Sequence, residues 1–168
     1  NTDTSNRLVP DFGDDAADRK MCFVCSKGTL DMAYPALIMA NGALNEGVET
    51  HIFFTFWGMD MITKKTMDHL KFTILGNPAT HMPQGLGGLP GMTQVATWMM
   101  KKQIAGLDVP EVPEFLEMLV DMGAHLWACK MSVDMMDLGP DDLFDGVEAI
   151  INVGEFIELS DGAQIVFV

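Results

Sequence analysis

Met21-Cys22-Phe23-Val24-Cys25-Ser26-Lys27-Gly28-Thr29-Leu30 is the stretch on which the reading of this chain turns. Its first five residues form an unbroken apolar run, short enough for a strand buried on both faces. Ser26–Thr29 then read as a loop, after which Leu30, Ala33, Leu37, Ile38 and Leu44 recur at helical spacing up to a stop near Asn45 and Gly47. Pro35 is expected in the first turn of that helix or at a kink. Thr50–Phe56 is a second β-prone run, so strand, helix and strand follow one another as a right-handed βαβ unit.

The same alternation returns downstream. Glu111–Asp121 carries Val112, Phe115, Leu116 and Leu119 on one face and stops at Gly123, the pattern of an amphipathic helix. His125–Cys129 reads as a third strand, and Ser132 as the cap of a short helix reaching Met136. Ala149–Val153 and Ala163–Val168 read as the fourth and fifth strands, with a helix over Gly154–Leu159 between them. Repeated βα units predict one α/β domain over 20–168, a Rossmann-like three-layer α/β/α arrangement on a mainly parallel sheet of about five strands. Residues 1–19, with five Asp and two Arg, read as a mobile acidic lead-in. A Met-, Gly- and Pro-rich excursion at about 57–104 interrupts the rhythm, as a functional loop, lid or oligomer contact does.

Composition narrows the function. The chain has 168 residues, 48% hydrophobic and 20% charged, which excludes a disordered polymer. It shows no apolar stretch of the length a membrane helix needs, so no membrane partner is expected. Ten Lys and Arg against 24 Asp and Glu leave a net charge of −14, a poor match for nucleic acid. Residues 111–168 hold 13 acids and only Lys130, whereas residues 60–102 hold five lysines against Asp60 and Asp68. That basic excursion is expected to offset the acidic bulk for small anions through Lys64, Lys65, Lys101 and Lys102. Three cysteines and no secretory signal point to the cytoplasm.

In open parallel sheets, ligands bind beyond the carboxyl ends of the strands. Cys129 ends a strand three residues before Ser132, with Lys130 adjacent, and free amides at a helix start favour a thiolate. A buried, inert Cys129 is the competing reading of the same spacing. Cys22 and Cys25 have redox CxxC spacing, but positions i and i+3 of one strand lie about 10 Å apart and point to opposite faces. Cys25, at the functional edge, is the candidate second thiol facing Cys129. Gly85-x-Gly87-Gly88-x-x-Gly91 has no strand before it and so fails as a dinucleotide loop. No His/Cys group has metal-ligand spacing, and no motif calls for a cofactor.

Taken together, Cys25-Ser26-Lys27-Gly28-Thr29-Leu30-Asp31, Ile52-Phe53-Phe54-Thr55-Phe56-Trp57-Gly58 and Ala128-Cys129-Lys130-Met131-Ser132-x-Asp134 resemble the DsrE/DsrF-like family, in its stand-alone DsrE-type sulfurtransferase branch. The resemblance runs from about Lys20 to Val168. It implies a Rossmann-like fold, homo-oligomers, and sulfur held as a persulfide or thiosulfonate and passed among TusA-type and rhodanese-type carrier proteins. The sulfur-bearing position of the family falls on Cys129. The expected function is therefore a sulfur carrier or sulfurtransferase loaded by a small anionic donor. Ser132, Lys130, Trp57, Gly58, Ser26 and Lys27 are expected around the sulfur. A thiol–disulfide oxidoreductase pairing Cys25 with Cys129, and a non-catalytic subunit of a sulfur-metabolism assembly, are the alternatives.

Overall fold

The computed structural model describes residues 19–72, 83–107 and 109–168. The expected lead-in, apart from Arg19, and part of the excursion lie outside these. Five strands, β1 (Lys20–Cys25), β2 (Glu49–Phe54), β3 (His125–Cys129), β4 (Val147–Ile151) and β5 (Gln164–Phe167), form one sheet in the order β4-β3-β2-β1-β5. Every pairing is parallel. Helix α1 (Leu30–Asn45) connects β1 to β2, and α3 (Val112–Asp121) leads into β3. The short α4 (Lys130–Met135) follows β3 directly, and α5 (Val153–Leu159) carries the chain from β4 across to β5 on the far edge.

Alternate residues of the strands supply two cores. Phe23, Cys25, Ile52, Phe54, Leu126 and Ala128 pack with α1 and α3 on one face. Val24, Phe53, Cys129 and Ile151 pack with Phe156 and Leu159 of α5 on the other. The rings of Phe53 and Phe156 stack at 4.6 Å. The first face is fully covered. The second is thinner, since Ile165 and Phe167 of β5 register with Cys22 and Val24 yet remain exposed.

Element boundaries differ from the expected ones where a local constraint intervenes. Helix α1 runs through Pro35 in its second turn rather than starting or breaking there, and the ring sits on the exposed side. Strand β2 stops at Phe54 because Phe56 takes a left-handed backbone, φ 47°, which ends extended geometry. Strand β4 stops at Ile151 because Asn152 and Glu155 form a reciprocal capping box, at 3.1 and 2.7 Å, that starts α5 early. The excursion holds a helix that the sequence reading lacks, α2 (Met92–Ala105), entered through Gly91 at φ 88°. Two 3₁₀ segments, Phe56–Met61 and Gln84–Gly88, precede it.

Candidate functional site

The carboxyl ends of β1, β2 and β3 line up, with Cys25, Phe54 and Ala128 in register. Cys129 is the next residue of β3 and itself occupies the N-cap position of α4, without an intervening loop. Its side chain is almost completely covered. Burial alone raises a thiol, but here it is outweighed: the Thr55 and Ser132 hydroxyls and the Ser132 and Met131 amides around the sulfur favour its anion and hold the thiol below its ordinary value. An anionic sulfur is thus solvated by protein groups instead of by water.

Ser132 does not cap the helix as expected. It is the third residue of α4, wholly buried, and its hydroxyl accepts the backbone N–H of Phe56 at 2.7 Å and lies 3.3 Å from the Thr55 hydroxyl. Its side chain is held by β2's exit rather than by its own helix. Thr55 and Phe56 are the residues the sequence reading missed. The only local signal was a single polar residue, Thr55, closing an aromatic strand at the functional edge. The left-handed Phe56, a conformation worth about 1–3 kcal/mol of strain in a non-glycine residue, is held by that contact.

The remaining expected residues divide. Lys130 points along the surface, where its ammonium pairs with both carboxylate oxygens of Asp134 one turn on, one of them at 2.6 Å. It is not among the groups that stabilise the sulfur. Ser26 is bound to the Val168 carbonyl by both its amide, at 2.9 Å, and its hydroxyl, at 3.0 Å, so it fastens β5. Gly58 is buried where a Cβ would stand 2.0 Å from the Cys25 carbonyl oxygen, and this close approach seats the 3₁₀ segment on the end of β1. Trp57 projects outward, 63% exposed. Lys27 lies with Trp57 along a pocket of about 690 Å³.

The three thiols have different surroundings. Cys25 belongs to the α1 face and Cys129 to the α5 face, so the expected facing of these two does not occur. Burial drives the Cys25 thiol up to about 12 and also raises that of Cys22. Cys22 and Cys25 both lie within β1 and are unbridged. Among the described residues, no three His, Cys, Asp or Glu side chains are grouped to hold a metal ion, and no helix is long and apolar enough to cross a membrane. His51 and His125 stack at 4.8 Å near the opposite end of the strands.

The lysines expected to offset the acidic bulk are largely engaged elsewhere. Lys64 binds Asp145 at 2.6 Å, Lys101 donates to the Asp68 carbonyl at 3.3 Å, and Lys102 lies over the Trp98 ring at 5.4 Å. Lys65 lines the same pocket as Lys27.

Most of the chain is similar to known proteins. The model of the DsrE/DsrF/DrsH-like family matches residues 17–167. The sulfur carrier protein DsrE2 of Allochromatium vinosum is 36% identical over 138 residues, covering 77% of this chain and 86% of that protein. The uncharacterized protein YrkE of Bacillus subtilis is 30% identical over 135 residues, covering 77% and 84%. The solved structure of MTH1491, a protein of unknown function from Methanobacterium thermoautotrophicum, matches with a TM-score of 0.58 at 12% identity, covering 90% of this chain and all of that one. This last likeness concerns the fold alone.

Proposed function

This chain belongs to the DsrE/DsrF/DrsH-like family, and we propose that it is a sulfur carrier that holds one sulfane sulfur on Cys129 and hands it to an acceptor thiol. One observation carries the reading: Cys129 ends β3 at the start of α4, with Ser132 of that helix fixed against Thr55 and Phe56 at the end of β2, and these hydroxyls and the first amides of α4 favour thiolate and persulfide anions over the neutral thiol. The name of the Allochromatium vinosum relative, a sulfur carrier protein, supports the same assignment.

In the loading step the Cys129 thiolate attacks the outer sulfur of a donor R–S–SH. The donor S–S bond breaks, R–S⁻ leaves and takes up a proton, and Cys129 becomes a persulfide; no external oxidant or reductant is needed. Discharge is the same exchange with an acceptor thiolate attacking the outer sulfur of the Cys129 persulfide. The acceptor we propose is a carrier protein of the TusA or rhodanese type. The exposed acids Asp134, Glu155 and Glu158, on the helices that follow β3 and β4, and Asp137 in the turn after the first of them, suit a basic partner surface. We further propose that the chain works as a cytoplasmic homo-oligomer.

A disulfide relay between Cys25 and Cys129 is disfavoured by their placement on opposite sheet faces. The decisive experiment is intact-mass analysis after incubation with polysulfide. The expected result is a gain of one sulfur atom per chain, reversed by dithiothreitol and absent from Cys129→Ser. Sulfur taken up equally by Cys129→Ser, or a loss of two hydrogens with no sulfur gain, would overturn the reading.

A further inference from the structure

A pocket of about 690 Å³ opens at the ends of β1 and β2, lined among others by Lys27, Lys65, Lys71, His69, Trp57 and Asp60. Its base depends on a glycine. A Cβ on Gly28 would stand 2.3 Å from the Trp57 carbonyl oxygen and 2.7 Å from the Asp60 Cβ, so the loop after β1 reaches this position only without a side chain. In a chain of net charge −14, three of the ten basic residues converge on this one cavity. Among the described residues, Lys27, Lys65 and Lys71 form no ion pair, whereas Lys20, Lys64, Lys101 and Lys130 do.

We propose that this pocket binds the body of the sulfur donor, and that the donor is a small organic persulfide bearing at least two carboxylates and an amino group. The inference rests on the sulfur-carrier reading and specifies its substrate class. Three features select the ligand. The volume falls within the range of sites for drug-sized ligands and far exceeds what a thiosulfate or a hydrosulfide ion fills. Lysine ammonium groups recognise carboxylates as point charges, so several lysines suit an acid with more than one such group. Asp60 supplies one carboxylate among the lysines, which suits a ligand ammonium, and the exposed Trp57 face suits the carbon skeleton.

Position supports the same assignment. Lys27 lies two residues beyond the end of β1 and Trp57 two residues beyond Thr55, whose hydroxyl is 3.3 Å from that of Ser132 on the helix that Cys129 begins. The ends of β1 and β3 are two strand spacings apart, about 10 Å. A tripeptide-sized acid anchored in the pocket spans that distance with its sulfur. The transfer remains the balanced exchange given above, with R now the dicarboxylate body.

The test compares two donors on wild type and on the double variant Lys65→Gln/Lys71→Gln, whose replaced side chains are exposed. Glutathione persulfide is the acidic donor, butyl persulfide the uncharged one, and S-methylglutathione the unreactive competitor. At low salt the double variant is expected to load Cys129 from glutathione persulfide about five- to tenfold more slowly than wild type, with the difference shrinking as salt is added. Loading from butyl persulfide is expected to change less than twofold, and S-methylglutathione is expected to slow glutathione persulfide loading of wild type only. Unchanged loading from glutathione persulfide in the variant overturns the proposal, as does an equal slowing with both donors. Should wild-type Cys129 take sulfur from polysulfide but from neither donor, the donor assignment falls and the sulfur-carrier reading stands; should it take sulfur from none of the three, the sulfur-carrier reading falls. Saturable binding of S-methylglutathione that the double variant loses would still uphold the pocket as a dicarboxylate site.

Discussion

The Ser132 hydroxyl accepts the Phe56 amide proton at 2.7 Å across 76 residues of sequence, and so ties the helix after β3 to the turn after β2. The same hydroxyl helps hold the Cys129 thiol below its ordinary value. One side chain therefore fixes a left-handed turn and tunes a thiol.

Removing that hydroxyl separates a structural effect from a chemical one. Ser132→Ala leaves a buried N–H at Phe56 without an acceptor, which is expected to destabilise the fold by about 1–3 kcal/mol in urea titrations. Thr55→Val keeps the shape of its side chain and removes the hydroxyl that meets Ser132 and favours the Cys129 anion, while leaving the Ser132–Phe56 bond in place. The midpoint of the alkylation rate–pH profile of Cys129 is therefore expected to rise. A profile unmoved in Thr55→Val would show that its hydroxyl does not stabilise the thiolate.

Gly58→Ala places a methyl group against the Cys25 carbonyl carbon and oxygen, both of them backbone atoms that cannot step aside. Overpacking of this kind costs about 1–3 kcal/mol. Because the 3₁₀ segment must shift off β1, Thr55 and Trp57 shift with it. Sulfur loading of Cys129 is expected to fall together with thermal stability, and a variant as stable and as active as wild type would refute the close approach.

Cys25 makes stability depend on alkaline pH. Its folded-state thiol is raised from 9.0 to about 12, so it contributes fully below pH 9 and the contribution drains away as pH climbs toward 12. Across the whole window the loss amounts to roughly 4 kcal/mol. Denaturant titrations at pH 8 and pH 10.5 are expected to show a steeper fall for wild type than for Cys25→Ala. Parallel slopes would show that Cys25 titrates equally in both states.

Helix α2 buries Ala96 and exposes Val95 and Trp98, the latter by 64%. A helix that turns its apolar residues outward needs a cover, and a second copy of the chain is the one expected. Light scattering is expected to give a multiple of the monomer mass at micromolar concentration, and Trp98→Glu to lower it. A monomer mass across a wide dilution series would remove this contact.

The legible parts of the molecule are those whose physics is local. A strand buried on both faces must be apolar throughout, which is why Met21–Cys25 and His125–Cys129 stood out, and Cys129 is found simply by asking which cysteine ends a strand. Helix α2 was hidden because its inward stripe, Met92, Ala96, Met100 and Ile104, is blurred by the apolar Val95, Trp98 and Met99 on the outward side. The partners of the Cys129 sulfur were half hidden: Ser132 follows it by three residues, whereas Thr55 and the Phe56 turn arrive through the sheet. The pairing of Lys130 with Asp134 and the Asn152–Glu155 box were written in their i,i+4 and i,i+3 spacings.

Strand β5 reaches β1 only after the chain has crossed the whole sheet from β4, and Ser26 meets Val168 across 142 residues. During synthesis on the ribosome, the outer edge of β1 therefore waits, unpaired, until β5 has emerged. An open edge of Cys22-Phe23-Val24 invites pairing with another nascent chain. Contacts of such long sequence separation also close slowly. Expression yield of this protein should thus respond to translation speed and to chaperone supply more strongly than its folded stability suggests.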